Sequence, residues 1–413
     1  MNNTTNEIKN FNKSQVYRLI YENNGITKQS IAYHLHISLP TITKCLNALM
    51  SEGKIICSSS KASTGGRPAV LYHFNETARI AIGVEVLADR LNIAVVNLIG
   101  DVIKEESIEI SFLDSESYFS IYRNVLSRVI DSLHVGKSTV LGITICMQGI
   151  VAPDGEHVFF GKLLNSTSFT RSSFSKGISY PISLVHDAEV AALAELWSLQ
   201  QIQTGIFISL NTYVGTAVII GGQVIHTENL SSGAYEHMIL HPNGDICYCG
   251  KKGCADAYIS ANSIKRSSRE NLEVFFENKA AGARMETEIW DEYLKDLASF
   301  IDNARMVICG DIILSGTLSK YLSRSDFENI RSYIESTTTF RNLNYHIYKG
   351  RFGEKAALIG AALTRIQTYL RSEGLKSDIF SVCSTKPLQK SRTALDTRGE
   401  RLRCFEFDEM TGI

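Results

Sequence analysis

Between His237 and Cys254 the chain reads H-M-I-L-H-P-N-G-D-I-C-Y-C-G-K-K-G-C, gathering three thiols and two imidazoles around turn-forming glycines. Thiolates are soft ligands. Cys247, Cys249 and Cys254, in a C-x-C-x4-C run with a histidine close by, have the composition of a tetrahedral zinc site. Gly250 and Gly253 let the backbone turn tightly enough for three sulfurs to converge. His237 and His241 are both near enough in sequence to be the fourth ligand. Four protein ligands leave no position open for water, so the expected Zn2+ is structural: it shapes a loop and does no hydrolysis. A disulfide or plain burial is the competing reading, but the polar start from Met1 to Lys13 has no secretory pattern to favour it.

The remaining six cysteines (Cys45, Cys57, Cys146, Cys309, Cys383, Cys404) are scattered, which fits a reducing compartment better than a disulfide framework. Cys383 and Cys404 are too isolated for a second metal site and read as ordinary thiols. No stretch is long and apolar enough to cross a bilayer, so a cytoplasmic protein without a membrane partner is expected. With 44% apolar and 21% charged residues the chain has an ordinary globular composition, and its 413 residues exceed one compact core, so two or three domains are expected.

Charge is unevenly divided. Residues 1–75 carry eight bases against three acids, a net of +5, and the remainder nets −6, so a polyanion would meet the N-terminal segment. That segment has a matching architecture. Ser14 to Asn23 is an amphipathic stretch stopped by Asn24-Gly25, and a second helix starts under a Thr27 cap with Ile31, Ala32 and Leu35 inward. Ser38 then caps a third helix, with Pro40 in its first turn and Leu39, Ile42, Leu46 and Leu49 on one face. Thr41, Thr43, Lys44 and Asn47 fall largely on other faces, as a recognition helix in a major groove requires. Strands near Gly53 to Ile56 and Val70 to Phe74 flank a polar loop, Ser58 to Pro68, that carries Lys61 and Arg67. The whole predicts a winged helix-turn-helix over residues 11–75, with Ser38, Thr41, Thr43, Lys44, Lys54 and Arg67 toward double-stranded DNA. The alternative is a three-helix protein-docking module with a solvated charged face.

Beyond residue 78 the pattern changes to strands and helices in alternation. Strands are predicted at Ile80 to Val86, Leu91 to Leu98, Val102 to Ile110 and Val140 to Cys146, with a helix from Glu116 to Leu133. A second set follows: Ile182 to Val185, Gly205 to Leu210, Thr216 to Ile220 and Val224 to His226 around a helix from Ala188 to Leu199, then Ile312 to Ser315. This predicts a layered α/β core, and the similar β-rich openings near Ile80 and Gly205 suggest internal duplication.

The winged helix ending in Gly65-Gly66-Arg67-Pro68, the α/β body, His186-Asp187-Ala188-Glu189 and the cysteine knuckle together resemble the ROK family of repressors and sugar kinases, from about residue 11 to 370. The resemblance implies a two-lobed actin-like, sugar-kinase-like (ribonuclease H-like) body over 79–370, with 371–413 as a C-terminal tail. Leu358 to Ala362 resembles the family's closing helix. It also implies His237 as the fourth zinc ligand, although the preceding family glycine is Glu236 here, and a homodimer or homotetramer on an operator.

Family kinases cradle ATP phosphates in a D-x-G-G-T-K turn. Here the counterpart is Glu85 to Arg90, where Leu87 and Ala88 replace glycines and Asp89 adds negative charge. Asn211 to Gly215 stands for a second glycine-rich turn with Tyr213 in place of a glycine, and Ser315-Gly316-Thr317 for successive glycines near adenosine. ATP should bind poorly. Asp187 matches the family's general base toward a sugar hydroxyl, a role needing a carboxylate within hydrogen-bond reach; its plainer reading is an N-cap of the following helix.

Asn165, His186, Asp187, His237 and Asp256 are the implied effector contacts. The family's asparagine before the aspartate is His186 here, its glutamate before the zinc histidine is Ala234, and its glutamate after the last cysteine is Asp256. These exchanges predict an altered ligand: a modified sugar, a disaccharide or a protein partner. The reading is a sugar-responsive DNA-binding repressor without kinase chemistry; an active sugar kinase bearing a DNA-binding arm is the alternative that Asp187 supports.

Overall fold

A computed structural model describes residues 2–59, 69–152, 154–225, 233–339 and 344–375. The chain begins with α1 (Asn2–Glu22), longer than the predicted Ser14 to Asn23, and buries Val16, Tyr17, Ile20 and Tyr21 as one stripe. A short β1 (Ile26–Thr27) leads into α2 (Lys28–Leu35), where the Thr27 hydroxyl accepts the Ser30 N–H at 3.1 Å and His36 closes the helix in the left-handed region. In α3 (Leu39–Ser51) the buried stripe is Ile42, Cys45, Leu46 and Leu49. Leu39, predicted on that stripe, is 44% exposed, because the first helical residue precedes the turn that packs. Ser38 stands at the cap position, but its hydroxyl meets Thr41 Oγ1 at 3.0 Å and no backbone N–H.

The wing strands β2 (Ile55–Ser59) and β3 (Val70–Phe74) pair antiparallel from Ile55↔Phe74 to Ser59↔Val70, with β1 on the other side of β3. The loop between them, with Lys61 and Arg67, falls at residues 60–68, outside the described residues.

Next come β4 (Ile80–Val86), β5 (Arg90–Asn97), β6 (Val102–Glu109), α4 (Glu116–Asp131), β7 (Val140–Met147), β8 (Ile150–Val151), β9 (Val158–Phe160), α5 (Ser172–Ser175), β10 (Ile182–His186) and α6 (Asp187–Ser198). The second lobe holds β11 (Thr204–Leu210), β12 (Val214–Ile220), β13 (Gln223–Val224), α7 (Asp256–Ile259), α8 (Ala261–Ser268), α9 (Leu272–Ala280), α10 (Arg284–Arg305), β14 (Asp311–Ser315), α11 (Arg324–Thr337) and β15 (Ile347–Lys349), before α12 (Ala356–Ser372) closes the body.

The predicted duplication is present in the sheets. The first has order β10-β7-β4-β5-β6 and the second β15-β14-β11-β12-β13 when written in the same sense. In each, an antiparallel meander of three strands is followed by strands added in parallel beside its first member. One face of the first sheet packs on α4 through Phe119, Tyr122 and Leu126, and one face of the second on α8 to α11 through Ile264, Phe275, Leu297 and Ile330. The two inner faces share a core with α6 and α12.

Glycine sets how closely α12 approaches. A Cβ on Gly360 would lie 1.7 Å from the Val190 carbonyl oxygen of α6, and one on Gly83 of β4 would lie 2.1 Å from the Leu358 carbonyl oxygen. The same core runs on into the winged helix, joining Val16, Ile20 and Leu49 to Ile366, Leu370 and Leu375. The predicted tail boundary at Arg371 therefore cuts through packed structure: α12 reaches Ser372 and Leu375 is buried. Residues 376–413, with Cys383 and Cys404, lie outside the described residues. Among the described residues no helix is long and apolar enough to cross a membrane.

Candidate functional site

The strand pairing of the first lobe places three polar side chains in a row. Glu85 on β4 faces Asn92 on β5, which faces Ser107 on β6. The Ser107 hydroxyl donates to Asn92 Oδ1 at 2.6 Å, and the Asn92 amide donates to Glu85 Oε2 at 2.8 Å. All three line a cavity of about 630 Å³ between the lobes, within the usual range for ligand pockets. Burial pushes the Glu85 carboxyl up to about 7, with the Asn92 hydrogen bond opposing and the Asp187 and Glu354 charges adding to the rise.

From the same sheet, two strands away, comes Asp187, the first residue of α6 after β10. His186 holds the N-cap position, while Asp187 Oδ1 accepts the Ala188 N–H at 2.9 Å and lies 3.4 Å from His186 Nε2. The carboxylate satisfies a helix-start N–H and lines the cleft, but His186 is the cap, so the N-cap reading of Asp187 is off by one residue. Enclosure raises its proton affinity, opposed by His186 and the Ala188 N–H. Gly215 makes room here, since a Cβ on it would sit 2.9 Å from that of Ala188.

Sequence reasoning gave Glu85 no effector role and passed over a third carboxylate altogether. Ala234 takes the place of the family's glutamate, but Glu236, two residues on, is 7% exposed, lines the cavity, and receives the Thr216 hydroxyl at 2.5 Å. Burial pushes it up to about 8. The signal was its chemistry, a charged residue among Gly233, Ala234 and Tyr235; a fixed motif register hid it. Among the described residues neither Glu85 nor Glu236 has a lysine or arginine within ion-pair distance.

Two predicted contacts lie elsewhere. Asn165 is exposed in a left-handed turn (φ 50°) and does not line the cleft; Lys162 and Leu163 of the same segment do. Asp256 is buried behind the wall, where Oδ1 accepts the Val214 N–H at 2.8 Å and Oδ2 lies 3.7 Å from Cys247 Sγ. It braces the Tyr213 turn and the thiol loop and touches no ligand space. The cause is backbone direction: α7 starts at Asp256 and turns that side chain inward.

The knuckle does converge. His237, Cys247, Cys249 and Cys254 present ligand atoms all within 4.8 Å of one another. Cys249 and Cys254 sulfurs are 3.8 Å apart, and His237 Nδ1 lies 3.6 Å from Cys247 Sγ. A tetrahedron with metal–sulfur arms of about 2.3 Å has edges of about 3.8 Å, so this donor set can hold a metal ion with small adjustment. His237 Nε2 sits 3.2 Å from the Tyr248 hydroxyl, a partner that orients the ring with Nδ1 toward the sulfurs. His241 is excluded, because its Nε2 pairs with Asp296 at 2.6 Å. His237 also lines the cleft, so this donor cluster forms part of its wall.

The counterpart of the first nucleotide turn is a closed hairpin, while Gly316 in the third keeps a positive φ of 88°. Leu87 N–H bonds the Arg90 carbonyl at 2.9 Å, closing a tight hairpin, and no residue of that turn has the positive φ that a phosphate-binding glycine supplies. Tyr213 projects into the cavity from the β11–β12 turn. Asn211 Oδ1 instead accepts the Thr317 N–H at 2.7 Å, tying the second turn to the third.

On the DNA side, Thr41 and Thr43 are half-buried and Lys44 is exposed along α3, with Thr43 Oγ1 bonded back to the Leu39 carbonyl at 2.8 Å. Lys54 departs from its predicted role. Only 13% of its side chain is exposed, and its ammonium pairs with Glu373 at 2.6 Å and Glu52 at 3.2 Å. Arg67 cannot be placed, being outside the described residues.

A winged helix-turn-helix carried on a duplicated two-lobed body of the sugar-kinase type is the class these features define. The chain belongs to the ROK family, whose sequence model matches residues 81–367, and a model described as winged helix-turn-helix DNA-binding matches residues 12–56. The xylose repressor of Bacillus subtilis (strain 168) is 24% identical over 262 residues, spanning 63% of this chain and 68% of that one. The DNA-binding transcriptional dual regulator NagC of Escherichia coli (strain K12) is 25% identical over 268 residues, spanning 64% and 66%. A solved ROK-family transcriptional regulator, a homologue of E. coli MLC, superposes with a TM-score of 0.69 at 20% identity over 91% of this chain and 99% of that one. A ROK glucokinase from Streptomyces griseus with glucose and AMPPNP gives 0.62 at 18% identity over 69% and 98%. At these identities the two structures establish the fold alone.

Proposed function

We propose that the protein is a sequence-specific DNA-binding transcriptional regulator of carbohydrate metabolism, acting as a repressor, with a sugar-type effector in the cleft and no kinase activity. The observation that carries this reading is the union in one packed unit of a winged helix and an enclosed cleft lined by Glu85, Asp187 and Glu236, joined by α12. Donor-rich hydroxyls suit those carboxylates. Relatives named as repressors of xylose and N-acetylglucosamine support it. Ser38, Thr41, Thr43, Lys44 and Arg67 are the proposed DNA contacts, and two copies on a two-fold operator the proposed binding unit. Such a regulator works in the cytoplasm, beside the DNA.

The bound metal is proposed to be Zn2+, held by His237, Cys247, Cys249 and Cys254, where it would fix the loop that carries one cleft wall. The reading is tested by selecting genomic fragments with the purified protein, then measuring release from the selected operator across a sugar panel. Failure to select any sequence over bulk DNA overturns it. The kinase alternative rests on Asp187, and is separated by ADP release: sustained turnover that Asp187→Asn abolishes would replace the proposal.

A further inference from the structure

Tyr213 does more than obstruct a phosphate. Its ring stands 5.0 Å, centroid to centroid, from that of Tyr248, inclined at 69°, and both line the cavity. One ring presents its edge toward the other's face, so the pair forms an aromatic corner. Both rings are held from behind. The Val214 N–H bonded to Asp256 fixes the turn beneath Tyr213, and the Tyr248 hydroxyl lies 3.2 Å from His237 Nε2 in the thiol loop. Groups fixed before binding lose little freedom when a ligand arrives.

The cavity thus has two chemically different regions. One holds Glu85, Asn92, Asp187 and Glu236, acceptor-rich and suited to a ring bearing several hydroxyl donors. The other is the tyrosine corner. An aromatic face is the negative pole of its quadrupole, and the C–H groups on one face of a pyranose are weakly positive, so a sugar ring laid flat on a tyrosine is attracted as well as desolvated. At about 630 Å³ the space lies mid-range for pockets that enclose drug-sized ligands, leaving room beside a single hexose.

We propose that Tyr213 and Tyr248 form a second sugar subsite, so that the effector is a disaccharide or larger glycoside with one ring hydrogen-bonded at the carboxylate region and the next stacked in the tyrosine corner. This rests on the sugar-responsive reading above and names the size and binding mode of its ligand. The flat base of a nucleoside is the other group such a corner can take, and adenosine among the probes separates it from a sugar.

Calorimetric titration of the full-length zinc-loaded protein tests it. The probes are xylose with xylobiose, glucose with cellobiose and maltose, N-acetylglucosamine with its β-linked dimer, and adenosine. At least one disaccharide is expected to bind about tenfold tighter than its own monosaccharide. Tyr213→Leu, which keeps bulk but loses the π face, should cut that advantage roughly three- to tenfold, while Tyr213→Phe keeps it. Zinc content and melting curves matched to the unaltered protein establish that both variants fold. Equal affinity for monomer and dimer in the unaltered protein overturns the subsite, as does an advantage that Tyr213→Leu leaves intact, or adenosine binding that outcompetes every sugar. If no sugar of either size binds while operator binding persists, the sugar-responsive reading itself fails, and the subsite with it.

Discussion

The ammonium of Lys54 lies 2.6 Å from the Glu373 carboxylate, 319 residues further along the chain, and within 5.6 Å of the Tyr17 ring centre. The start of the wing is therefore clamped to the far end of α12, and this lysine is already neutralised by protein. A lysine that neutralises a DNA phosphate contributes about one counterion to the salt dependence of binding. Lys44→Met should reduce the slope of log affinity against log salt by about one. Lys54→Met should leave the slope unchanged and cost about 1–3 kcal/mol of folding stability, as expected when one member of a mostly buried ion pair is removed. Anisotropy titrations over a salt series with urea melts check both; an equal slope change in the two variants would place Lys54 on the DNA.

The metal loop predicts a compositional result. Purified protein should contain zinc in one-to-one ratio to chain by elemental analysis, and Cys254→Ser should lose it. Because His237 and Tyr248 reach the cleft from this loop, the variant should lose effector response while its operator affinity in the absence of sugar falls little. Undiminished sugar response without zinc would show that the loop needs no metal to keep its shape.

Asp187 gives a split outcome. Asp187→Asn removes a charged acceptor facing the cleft, and hydrogen bonds to charged groups contribute about 1.5–3 kcal/mol, so effector affinity should fall roughly ten- to a hundredfold. DNA affinity without effector should hold. A coupled ADP assay with ATP should show no sugar-dependent turnover in either protein.

Glu85 sets a pH dependence. Its folded-state value of about 7 stands above the ordinary 4.5, so the folded chain binds the proton more tightly than the unfolded one. The resulting stabilisation is fully present below about pH 4.5 and is lost as pH rises through 7, amounting to about 3 kcal/mol at most. Glu85→Gln cannot titrate and can still accept the Asn92 amide. Between pH 5 and 8 its unfolding free energy should therefore fall less than that of the unaltered protein; parallel decline in urea melts would remove Glu85 as the cause.

Gly360→Val should be severe. Its side chain would have to occupy space filled by the Val190 carbonyl at 1.7 Å, so α12 must leave α6. Loss of soluble protein, or a melting point far below that of the unaltered chain, is the expected result, and normal stability would contradict the close seam.

Much of the architecture was legible because it depends on local periodicity. β4 came out at Ile80–Val86 as predicted and the other predicted strands and helices of the first lobe within two residues, while the short β8, β9 and α5 were not foreseen. The thiol knuckle was equally plain, since C-x-C-x4-C carries its own geometry, and the structure groups the cysteines with His237, as the resemblance implied, while His241 pairs with Asp296. Side-chain direction was not legible. Asp256 and Asn165 sit beside recognisable motifs, yet α7 turns one inward and a left-handed turn carries the other away. Glu236 was passed over because it falls two positions after Ala234, where the motif register placed the family's glutamate. Lys54 looked like any basic residue at a DNA face, and nothing local announces a partner beyond residue 370.

The 17 residues of α12 span about 25 Å, from Ala357 and Leu358 at the cleft to the neighbourhood of Glu373 under the wing. Pressed against backbone at Gly360 and Gly83, this rod has no slack in which to dissipate a push received at its first turn. A ligand seated near Ala357 would press on the same helix whose far end holds the winged helix.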